Sequence, residues 1–481
     1  MPRLDPAEVG FTPEGFALDM PTRPAWQGVV SSAEELHALE EQSFLQWQQG
    51  LLHKAAAATA DAGGPAAADV SAASTAAAAA AGAFGSSARA GGVGRLSFYE
   101  GRLEFWRQLW RTLEMSDLVL MIVDARNPLL HFSHALYRHI TQHHGLPLVL
   151  LLNKCDLVPA AAAAAWKTWL QQQLPGVAVV PVSAAAGQAE AAARQLLEVV
   201  LQQRVERGGQ QVLVQDFIGS SIDGLLAESL RRNLHAKRHL QQQHTDAETH
   251  ADGAAAAADA AAAAAGVAAA LSWQHDAGPV VVGLLGEPNV GKSSTLNALL
   301  GTHRVAVSCH PGRTKHYQTH FMSSRLVLCD CPGIVFPRLD VSLPMQVLFG
   351  SYPIASCRQP YAVVRYLASA SWPRLQQRLA LSKPGEPQQQ QQQLEVQVHE
   401  DANDSESHTA VNNSSSGSSS VVVQGGADGW SPWVLCEALA EKRHWVLPRS
   451  GRLDTYRAAN WLLRAALGGQ QGMGLAFLPP A

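Results

Sequence analysis

The sequence predicts an α/β fold in which a doubly wound, mostly parallel sheet carries helices on both faces. Short apolar runs typical of buried strands alternate with amphipathic or alanine-rich stretches typical of helices. This strand–helix–strand rhythm favours a parallel sheet, because parallel neighbours need a helical crossover between them. Several apolar runs also end in short polar motifs, and parallel sheets bind their ligands at the carboxyl ends of the strands.

The composition limits the class of protein. With 481 residues, 47% of them hydrophobic, the chain has room for two or three domains. A formal net charge of −4 excludes a chain-wide polycation that binds nucleic acids. A local basic face is still compatible with this charge. We expect no DNA partner. The cysteines form no C-x-x-C pair and have no histidine partner at zinc spacing, so we interpret them as reduced thiols.

The sequence shows no convincing membrane segment. Its start, MPRLDPAEVGF, has acids and prolines where a signal peptide has an apolar run. Residues 254–270 are rich in alanine, which is too weakly apolar for a membrane span, and Asp259 and Gly266 interrupt them. We find no convincing Lys/Arg cluster for nuclear import. We therefore expect a cytosolic protein without a membrane partner, with the nucleus or nucleolus as the alternative.

Four segments are predicted along the chain. Residues 1–54 form a small N-terminal element, whose helix starts at the capping box S-A-E-E. Residues 55–93 are rich in Ala, Gly and Ser without periodicity, and we interpret them as a disordered linker. Residues 94–340 form the α/β domain, which opens with the amphipathic helix EGRLEFWRQLWRTLEMSD. Residues 341–481 form a C-terminal helical domain.

Two insertions interrupt these domains. Residues about 219–276 are rich in Gln, His and Ala, and we interpret them as disordered or marginally helical, with a stable alanine-rich helix as the alternative. Residues about 384–429 form a polar low-complexity tract that we interpret as a disordered insertion. Between the insertions and the linker, strands are predicted at LVLMIVD, PLVLLLN, VAVVPV, GPVVVGLL and RLVLCD.

One motif fits a loop that binds nucleotide phosphates. The run GEPNVGKS follows a predicted strand, opens a predicted helix and matches G-x-x-x-x-G-K-[ST]. Its glycines let successive N–H groups point at a phosphate, Lys292 supplies a cation to the β- and γ-phosphates, and the Ser293 hydroxyl ligates Mg²⁺. A chance glycine-rich turn is the alternative. The predicted site residues are Gly286, Glu287, Pro288, Asn289, Val290, Gly291, Lys292, Ser293 and Ser294.

Further residues downstream are predicted to bind the same phosphates or their Mg²⁺ ion. Asp330 ends a predicted strand, where its carboxylate can hold Mg²⁺ through a water, and the Gly333 amide can bond the γ-phosphate. Thr314 lies between the loop and Asp330, so we expect its hydroxyl on Mg²⁺ when the γ-phosphate is present. An ordinary surface threonine is the alternative. We assign catalytic roles to Lys292, Thr314 and Gly333.

The motif N-K-x-D predicts that the bound nucleotide carries guanine as its base. Asp156 can accept hydrogen bonds from two N–H groups on the edge of guanine. Adenine does not offer this pair of donors. We expect Asn153 to brace the pocket and the Lys154 stem to cover the base. Ser183 and Ala184 follow the next strand and would offer a backbone amide to guanine O6. The predicted ligands are therefore GTP and GDP with Mg²⁺, and a polar strand end is the alternative.

The base-reading motifs precede the phosphate motifs, which is the reverse of the usual GTPase order. With DARNP, NKCD, GEPNVGKSS, PGRTKHYQTHF and DCPGIVFP in this order, the chain resembles the circularly permuted GTPases of ribosome assembly. The resemblance covers about 95–218, 278–380 and 430–478, with a weaker match at 19–48. It implies a P-loop NTPase fold with permuted motif order, hydrolysis of GTP to GDP and phosphate, and a part in maturing the large ribosomal subunit.

Two positions bear on the rate of hydrolysis. Ile334 follows Gly333, where many small GTPases carry a Gln that orients the attacking water, so we predict slow intrinsic hydrolysis. Asn289 stands where enzymes that resemble this one bind K⁺, and the resemblance implies a potassium ion there. An Asn that only caps the loop is the alternative. A GTP-dependent switch or scaffold with negligible hydrolysis and a non-ribosomal partner is the alternative function.

The C-terminal region has an excess of basic residues. Residues 341–385 contain no acidic residue, and basic residues outnumber acidic ones in 431–468. This asymmetry predicts a face for RNA, with an ordinary solvated helical face as the alternative, and the resemblance implies that the RNA is rRNA of the large subunit. We expect a monomer. The basic residues are Arg358, Arg365, Arg374, Arg378, Lys383, Lys442, Arg443, Arg449, Arg452, Arg457 and Arg464.

Overall fold

The computed structural model describes residues 1–12, 18–26, 28–61, 96–185, 187–247, 278–301, 316–371, 375–383 and 430–480. These residues belong to two units, one of Met1–Pro353 with Ala476–Ala481, and one of Ile354–Leu475. Thr314, most of the predicted linker and the tract at 384–429 lie outside the described residues. In the part of the chain that is described, no helix has the length and apolar character needed to cross a membrane.

The first unit is built on one sheet, which confirms the predicted α/β fold. Its strand order is β3-β2-β1-β6-β8-β7, and all neighbours are parallel except β7 and β8. The antiparallel edge strand β7 was not predicted. The described strands are β1 (Leu118–Asp124), β2 (Leu148–Asn153), β3 (Ala178–Pro181), β4 (Arg204–Arg207), β5 (Gln210–Leu213), β6 (Val280–Leu285), β7 (Gln318–Phe321) and β8 (Leu326–Asp330).

The strand register brings the predicted site to one edge of this sheet. Asp124 of β1 pairs with Asn153 of β2, and Leu284 of β6 pairs with Asp330 of β8. Strands β1, β2, β6 and β8 are buried along their whole length, which explains their continuous apolar runs. The motifs that follow these strands therefore emerge side by side.

Helices cover both faces of the sheet. On one face, α6, α8 and α9 pack against alternate residues of the central strands. On the other face, Thr112 and Ser116 of the segment around α2 contact Gly283 so closely that a side chain there would collide. The helices of this unit are α1 (Ala33–Asp61), α2 (Leu103–Met115), α3 (Pro128–His131), α4 (His134–Arg138), α5 (Ala160–Gln173), α6 (Ala189–Leu201), α7 (Val214–Ile218), α8 (Ile222–Ala247), α9 (Lys292–Leu300) and α10 (Leu343–Phe349).

The insertion predicted at 219–276 begins as the helix α8, so the structure shows helix and not disorder for Ile222–Ala247. Leu225 is fully buried, and the side chains of Ser229 and Asn233 donate to the carbonyl of Leu300 at 3.3 and 2.9 Å. This tertiary packing supplies the stability that helix propensity alone does not. Residues 248–277 lie outside the described residues.

The N-terminal helix is also longer than predicted, because α1 continues past residue 54 to Asp61. Leu51 and Ala55 are buried together with Leu18 and Leu339, so the start of the predicted linker belongs to a small core. At the other end of α1, Ser32 Oγ accepts from the N–H of the third helical residue at 3.1 Å, as the capping box predicts.

A hairpin of β4 and β5 follows α6 and was not predicted from the sequence. Its strands have four residues each, too short for a clear alternating pattern. Arg207 of this hairpin donates to Asp117 Oδ2 at 2.6 Å, and Asp117 accepts from the N–H of Val281 at 2.7 Å. The hairpin therefore fixes the start of β6.

The second unit is helical where it is described. Ser431 Oγ caps its third helix by accepting from Val434 N–H at 3.2 Å, and Asp454 Oδ1 caps the fourth by accepting from Arg457 N–H at 2.9 Å. The carbonyls of Leu379 and Ala380 accept from Lys442 Nζ. The helices are α11 (Pro360–Ala370), α12 (Leu375–Arg378), α13 (Pro432–Lys442) and α14 (Thr455–Leu467).

Candidate functional site

The phosphate loop joins β6 to α9 and requires glycine at both of its ends. Gly286 has φ +153°, and an added Cβ would lie 2.5 Å from the carbonyl oxygen of Ile122. Gly291 has φ +102°, and an added Cβ would collide with the side-chain amide of Asn153. Both φ values belong to the region that favours glycine. The sequence pattern thus describes a loop packed tightly against β1 and the base-reading motif.

Lys292 is the first residue of α9, and its ammonium group is turned back over the loop. Its Nζ donates to the carbonyls of Gly286 and Glu287 at 3.0 and 2.7 Å. Burial lowers the pKa of Lys292, and the charge of Asp330 opposes this effect. An added Cβ at Gly333 would lie 2.9 Å from Lys292 Nζ, so the segment after β8 lies directly against the loop.

Asp330 has the character of a metal ligand. Both carboxylate oxygens are buried, and neither has a hydrogen-bond partner among the described residues. Burial raises the pKa of Asp330 to about 6, although the Lys292 ammonium lowers it in part. An unpaired buried carboxylate is costly, and a hard divalent cation such as Mg²⁺ satisfies it. Ser293, at the start of α9 and half-buried, offers a hydroxyl of the type Mg²⁺ accepts.

Asn153 connects the base-reading motif to the phosphate loop. Its Nδ2 donates to the carbonyl of Val290 at 2.9 Å, and its Oδ1 accepts from the N–H of Ala184 at 3.2 Å. The side chain is buried, with 2% of its surface exposed. One side chain therefore fixes three predicted parts of the site relative to one another.

Asp156 and Ser183 contact each other next to Asn153 and Ala184. Ser183 Oγ donates to Asp156 Oδ1 at 2.6 Å. Asp156 itself is exposed, so its carboxylate is accessible to a ligand. This hydrogen bond orients the carboxylate before a ligand arrives.

Lys154 is fixed by a buried ion pair that the sequence motifs did not predict. The residue has a left-handed backbone with φ 65°, and its Nζ lies 2.8 Å from Asp124 Oδ2. Arg126 Nη2 donates to the same oxygen at 2.7 Å. Burial alone would raise the pKa of Asp124, but the charges of Arg126 and Lys154 hold this pKa well below its ordinary range.

The segment after Leu475 contacts the backbone of Arg126, one member of this ion pair. Phe477 N–H donates to the carbonyl of Arg126 at 2.9 Å, and Trp166 Nε1 donates to the carbonyl of Phe477 at 2.8 Å. The motif DARNP directly after β1 is the signal by which Asp124 and Arg126 could have been found. Their pairing with Lys154 follows only from the register of β1 and β2.

Glu287 gives the phosphate loop an unexpected anchor. An acid in a loop that holds phosphates is electrostatically unfavourable, yet this side chain is fully buried and faces away from solvent. Its Oε1 accepts from Arg338 Nη2 at 3.0 Å, and its Oε2 accepts from Ser351 Oγ at 2.6 Å and lies 3.1 Å from His131 Nδ1. We call Glu287, Arg338, His131 and Ser351 the Glu287 network.

The Glu287 network leads to a pH-dependent stability. Burial alone would raise the pKa of Glu287, but Arg338, His131 and Ser351 lower it from 4.5 to about 2. A carboxyl whose folded pKa is depressed contributes stability above its unfolded pKa, and this contribution is lost as the pH falls through the folded value. We expect the unfolding free energy of the wild type to fall more steeply than that of Glu287→Gln between about pH 4.5 and 2. Urea titrations at several pH values measure this difference, and parallel curves for the two proteins would contradict the expectation.

Asn289 adopts a left-handed backbone in the same loop, with φ 63°. Its Nδ2 donates to the carbonyl of Gly350 at 3.3 Å. The side chain therefore already has one structural contact, and its oxygen is the atom that a cation would use. Thr314, the other predicted ligand between the loop and Asp330, lies outside the described residues.

Comparisons with known proteins give one family match and several relatives. A family profile described as "50S ribosome-binding GTPase" matches residues 281–364. Guanine nucleotide-binding protein-like 1 of Rattus norvegicus is 33% identical over 490 residues, which cover 100% of this chain and 68% of that protein. The protein of the same name from Homo sapiens is 33% identical over 477 residues, covering 97% and 66%. The chain thus spans about two thirds of the length of these relatives.

More distant similarities extend to a plant protein and a solved structure. GTPase LSG1-2 of Arabidopsis thaliana is 32% identical over 343 residues, covering 70% of this chain and 48% of that protein. The GNP-bound structure of YlqF from T. maritima covers 78% of this chain and 97% of its own, at 15% identity and a TM-score of 0.36. The latter likeness is too weak to support an inference about this protein.

Proposed function

The chain belongs to the circularly permuted GTPases, and from this membership we propose that it binds GTP with Mg²⁺, hydrolyses it to GDP and phosphate, and acts in the maturation of the large ribosomal subunit. We propose the cytosol as its place of action. The observation that carries the nucleotide assignment is the position of Asn153, which joins Val290 of the phosphate loop to Ala184 beside the base reader. A site that holds base and phosphates in one fixed geometry is what a nucleotide requires.

In this proposal each residue has a role that follows from the chemistry of its side chain. Asp156 accepts the guanine N–H groups, and Lys292 moves from the loop carbonyls to the β- and γ-phosphates. Ser293 and Asp330 would hold Mg²⁺, which neutralises charge on the phosphate oxygens. Water attacks the γ-phosphorus, the bond to the β–γ bridging oxygen breaks, and GDP leaves with that electron pair.

The residue after Gly333 favours a slow reaction by the protein alone. Ile334 is apolar, with 2% of its surface exposed, and it has no group that orients a water molecule. A pre-ribosomal partner would supply the missing stabilisation. The same observation favours the second candidate function, in which the protein is a GTP-dependent switch with negligible hydrolysis and a non-ribosomal partner.

One experiment separates these two functions. GTP turnover is measured in potassium buffer with and without purified large ribosomal subunits, with Lys292→Ala as the control for contaminating GTPases. Strong stimulation that Lys292→Ala lacks supports the ribosome-coupled enzyme. Tight GTP binding without stimulation favours the switch, and failure to bind GTP contradicts both.

We extend the proposal to a potassium ion beside Asn289. A cation there adds positive charge near the phosphates, so turnover should be about tenfold faster in potassium than in sodium buffer. Asn289→Gly should abolish this difference, because glycine adopts the left-handed backbone of residue 289 without strain and removes only the side chain. Equal turnover of the wild type in the two salts would exclude the ion.

A surface of the second unit suits RNA phosphates and bases. We define the arginine–tryptophan surface as Arg443, Trp445, Arg449, Arg452, Arg457 and Trp461. The guanidinium of Arg443 lies 4.6 Å from the ring centre of Trp461, and that of Arg457 lies 5.0 Å from Trp445. Arg449 and Arg452 are exposed in the turn between α13 and α14. Exposed guanidinium groups bind phosphates, and aromatic rings beside them stack on unpaired bases.

Charge reversal tests this surface. Arg449→Glu with Arg452→Glu should weaken binding to large-subunit rRNA and reduce the slope of log K against log salt by about 1.5 to 2. Arg231→Glu, an exposed arginine on α8 of the first unit, is the matched control and should leave the slope unchanged. Identical salt dependence in all three proteins would show that the arginine–tryptophan surface does not contact phosphate.

A further inference from the structure

Three histidines converge at a break in helical geometry between α4 and β2. The segment His139–His143 forms a π-helical turn, closed by the N–H of His144 donating to the carbonyl of His139 at 3.0 Å. A π turn has more residues per turn than an α-helix, so positions 143 and 144 both come to lie beside position 139. In an ordinary α-helix His143 would face His139 one turn away, but His144 would lie on a different side.

The side chains are close enough for one small ligand. The ring centres of His139 and His143 are 4.6 Å apart, those of His139 and His144 are 4.8 Å apart, and those of His143 and His144 are 5.0 Å apart. One nitrogen from each ring lies within 4.8 Å of the others. We propose that His139, His143 and His144 form a binding site for a divalent transition-metal ion, with zinc as the first candidate.

The site has both a fixed and an adjustable part. His139 is buried, with 8% of its surface exposed, whereas His143 is exposed and His144 is half-buried. Zinc–nitrogen bonds of 2.0–2.1 Å at tetrahedral angles require nitrogens about 3.4 Å apart. The two outer rings can therefore turn inward onto the ion while His139 stays in place.

Burial affects the protonation of two of these histidines. Burial and the two neighbouring imidazoles lower the pKa of His139 to about 4, and burial also lowers the pKa of His144. Neutral imidazole is the form that binds zinc, copper, nickel and cobalt, whereas a protonated ring repels them. A water molecule would complete the tetrahedron.

This site is separate from the nucleotide site. The π turn precedes β2, whereas Asn153 ends it, so the length of the strand, roughly 17 Å, lies between them. Zinc binding is therefore measurable while GDP and Mg²⁺ saturate the phosphate loop. Under these conditions Asp330 and Ser293 are not available to zinc.

The experiment compares zinc stoichiometry by equilibrium dialysis and atomic absorption in four tag-free proteins with GDP and Mg²⁺ present. These are the wild type, His143→Asn, His144→Asn and the matched control His53→Asn, which changes an exposed histidine of α1. We expect the wild type and His53→Asn to bind one more equivalent of zinc than the other two, or to bind it about 100-fold more tightly. Equal stoichiometry and affinity in all four proteins would overturn the proposal.

Cobalt substitution provides the second readout. Co²⁺ bound to the wild type should give the visible d–d absorption of a tetrahedral nitrogen-ligated ion, and His143→Asn should lack it. A sulfur-to-cobalt charge-transfer band would place the ion at a cysteine instead and would overturn the assignment. A spectrum identical to that of free aqueous cobalt would do the same.

Discussion

Replacing Arg338 with alanine is expected to lower the free energy of unfolding by about 3–5 kcal/mol. The change leaves the Glu287 carboxylate buried with its main counter-charge removed, and Glu287 has no exposed surface from which water could compensate. It also removes the two hydrogen bonds that Arg338 Nη1 donates to the carbonyls of Leu129 and Phe132. Urea denaturation measures the loss.

The control for this effect is an arginine whose ion pairs are exposed. Arg194 contacts Glu190 and Asp223 at the surface, and Arg194→Ala should leave the unfolding free energy nearly unchanged. The double variant Glu287→Ala, Arg338→Ala should lose less stability than the two single variants added together, because no unpaired charge remains. If Arg338→Ala were as stable as Arg194→Ala, the Glu287 network would not be an anchor of the phosphate loop.

Replacing Asp156 with asparagine should reduce affinity for GTP by about 10³-fold and create affinity for xanthosine triphosphate. In the proposed function the carboxylate accepts two hydrogen bonds from N–H groups of guanine, each worth about 1.5–3 kcal/mol as a charge-assisted bond. Asparagine keeps one acceptor and turns the other into a donor. Xanthine carries an oxygen where guanine has its amino group, so the new donor finds a partner there.

The exchange of specificity distinguishes base recognition from damage to the fold. Ser183 Oγ donates to Asp156 Oδ1 at 2.6 Å, and an asparagine oxygen can accept the same bond. Competition against a fluorescent guanine nucleotide measures both affinities, and Asp216→Asn on the exposed face of α7 is the control. A variant that binds neither nucleotide would indicate a disrupted pocket, and one that keeps its GTP affinity would show that Asp156 does not read the base.

The fold could be predicted from the sequence because each central strand is a continuous apolar run. Strands buried on both faces have no polar positions that obscure them, and β1, β2, β6 and β8 all belong to this kind. The edge strand β7 and the β4–β5 hairpin are short and partly exposed, so their patterns are too weak to recognise. The stability of α8 depends on contacts with Leu300, which lies far away in sequence.

The same distinction holds within the candidate site. Local spacing reveals the phosphate loop, because its chemistry depends on neighbouring residues. The role of Glu287 depends on Arg338, His131 and Ser351, and no spacing rule connects such distant positions. An acidic residue in a phosphate-binding loop is the local conflict that could have drawn attention to it, since such conflicts are resolved by tertiary partners.

The strand order also determines the sequence of events during synthesis on the ribosome. Strands β1, β2 and β3 emerge first and occupy one half of the sheet, whereas β6, β7 and β8 emerge later and occupy the other. The nascent chain between Pro181 and Val280 takes about 5–20 s to translate. For that time β1 has no partner on its second edge, and an unpaired apolar edge invites aggregation. The permuted order of the motifs therefore leaves the β1 edge of this half-sheet unpaired in the nascent chain until β6 has been translated.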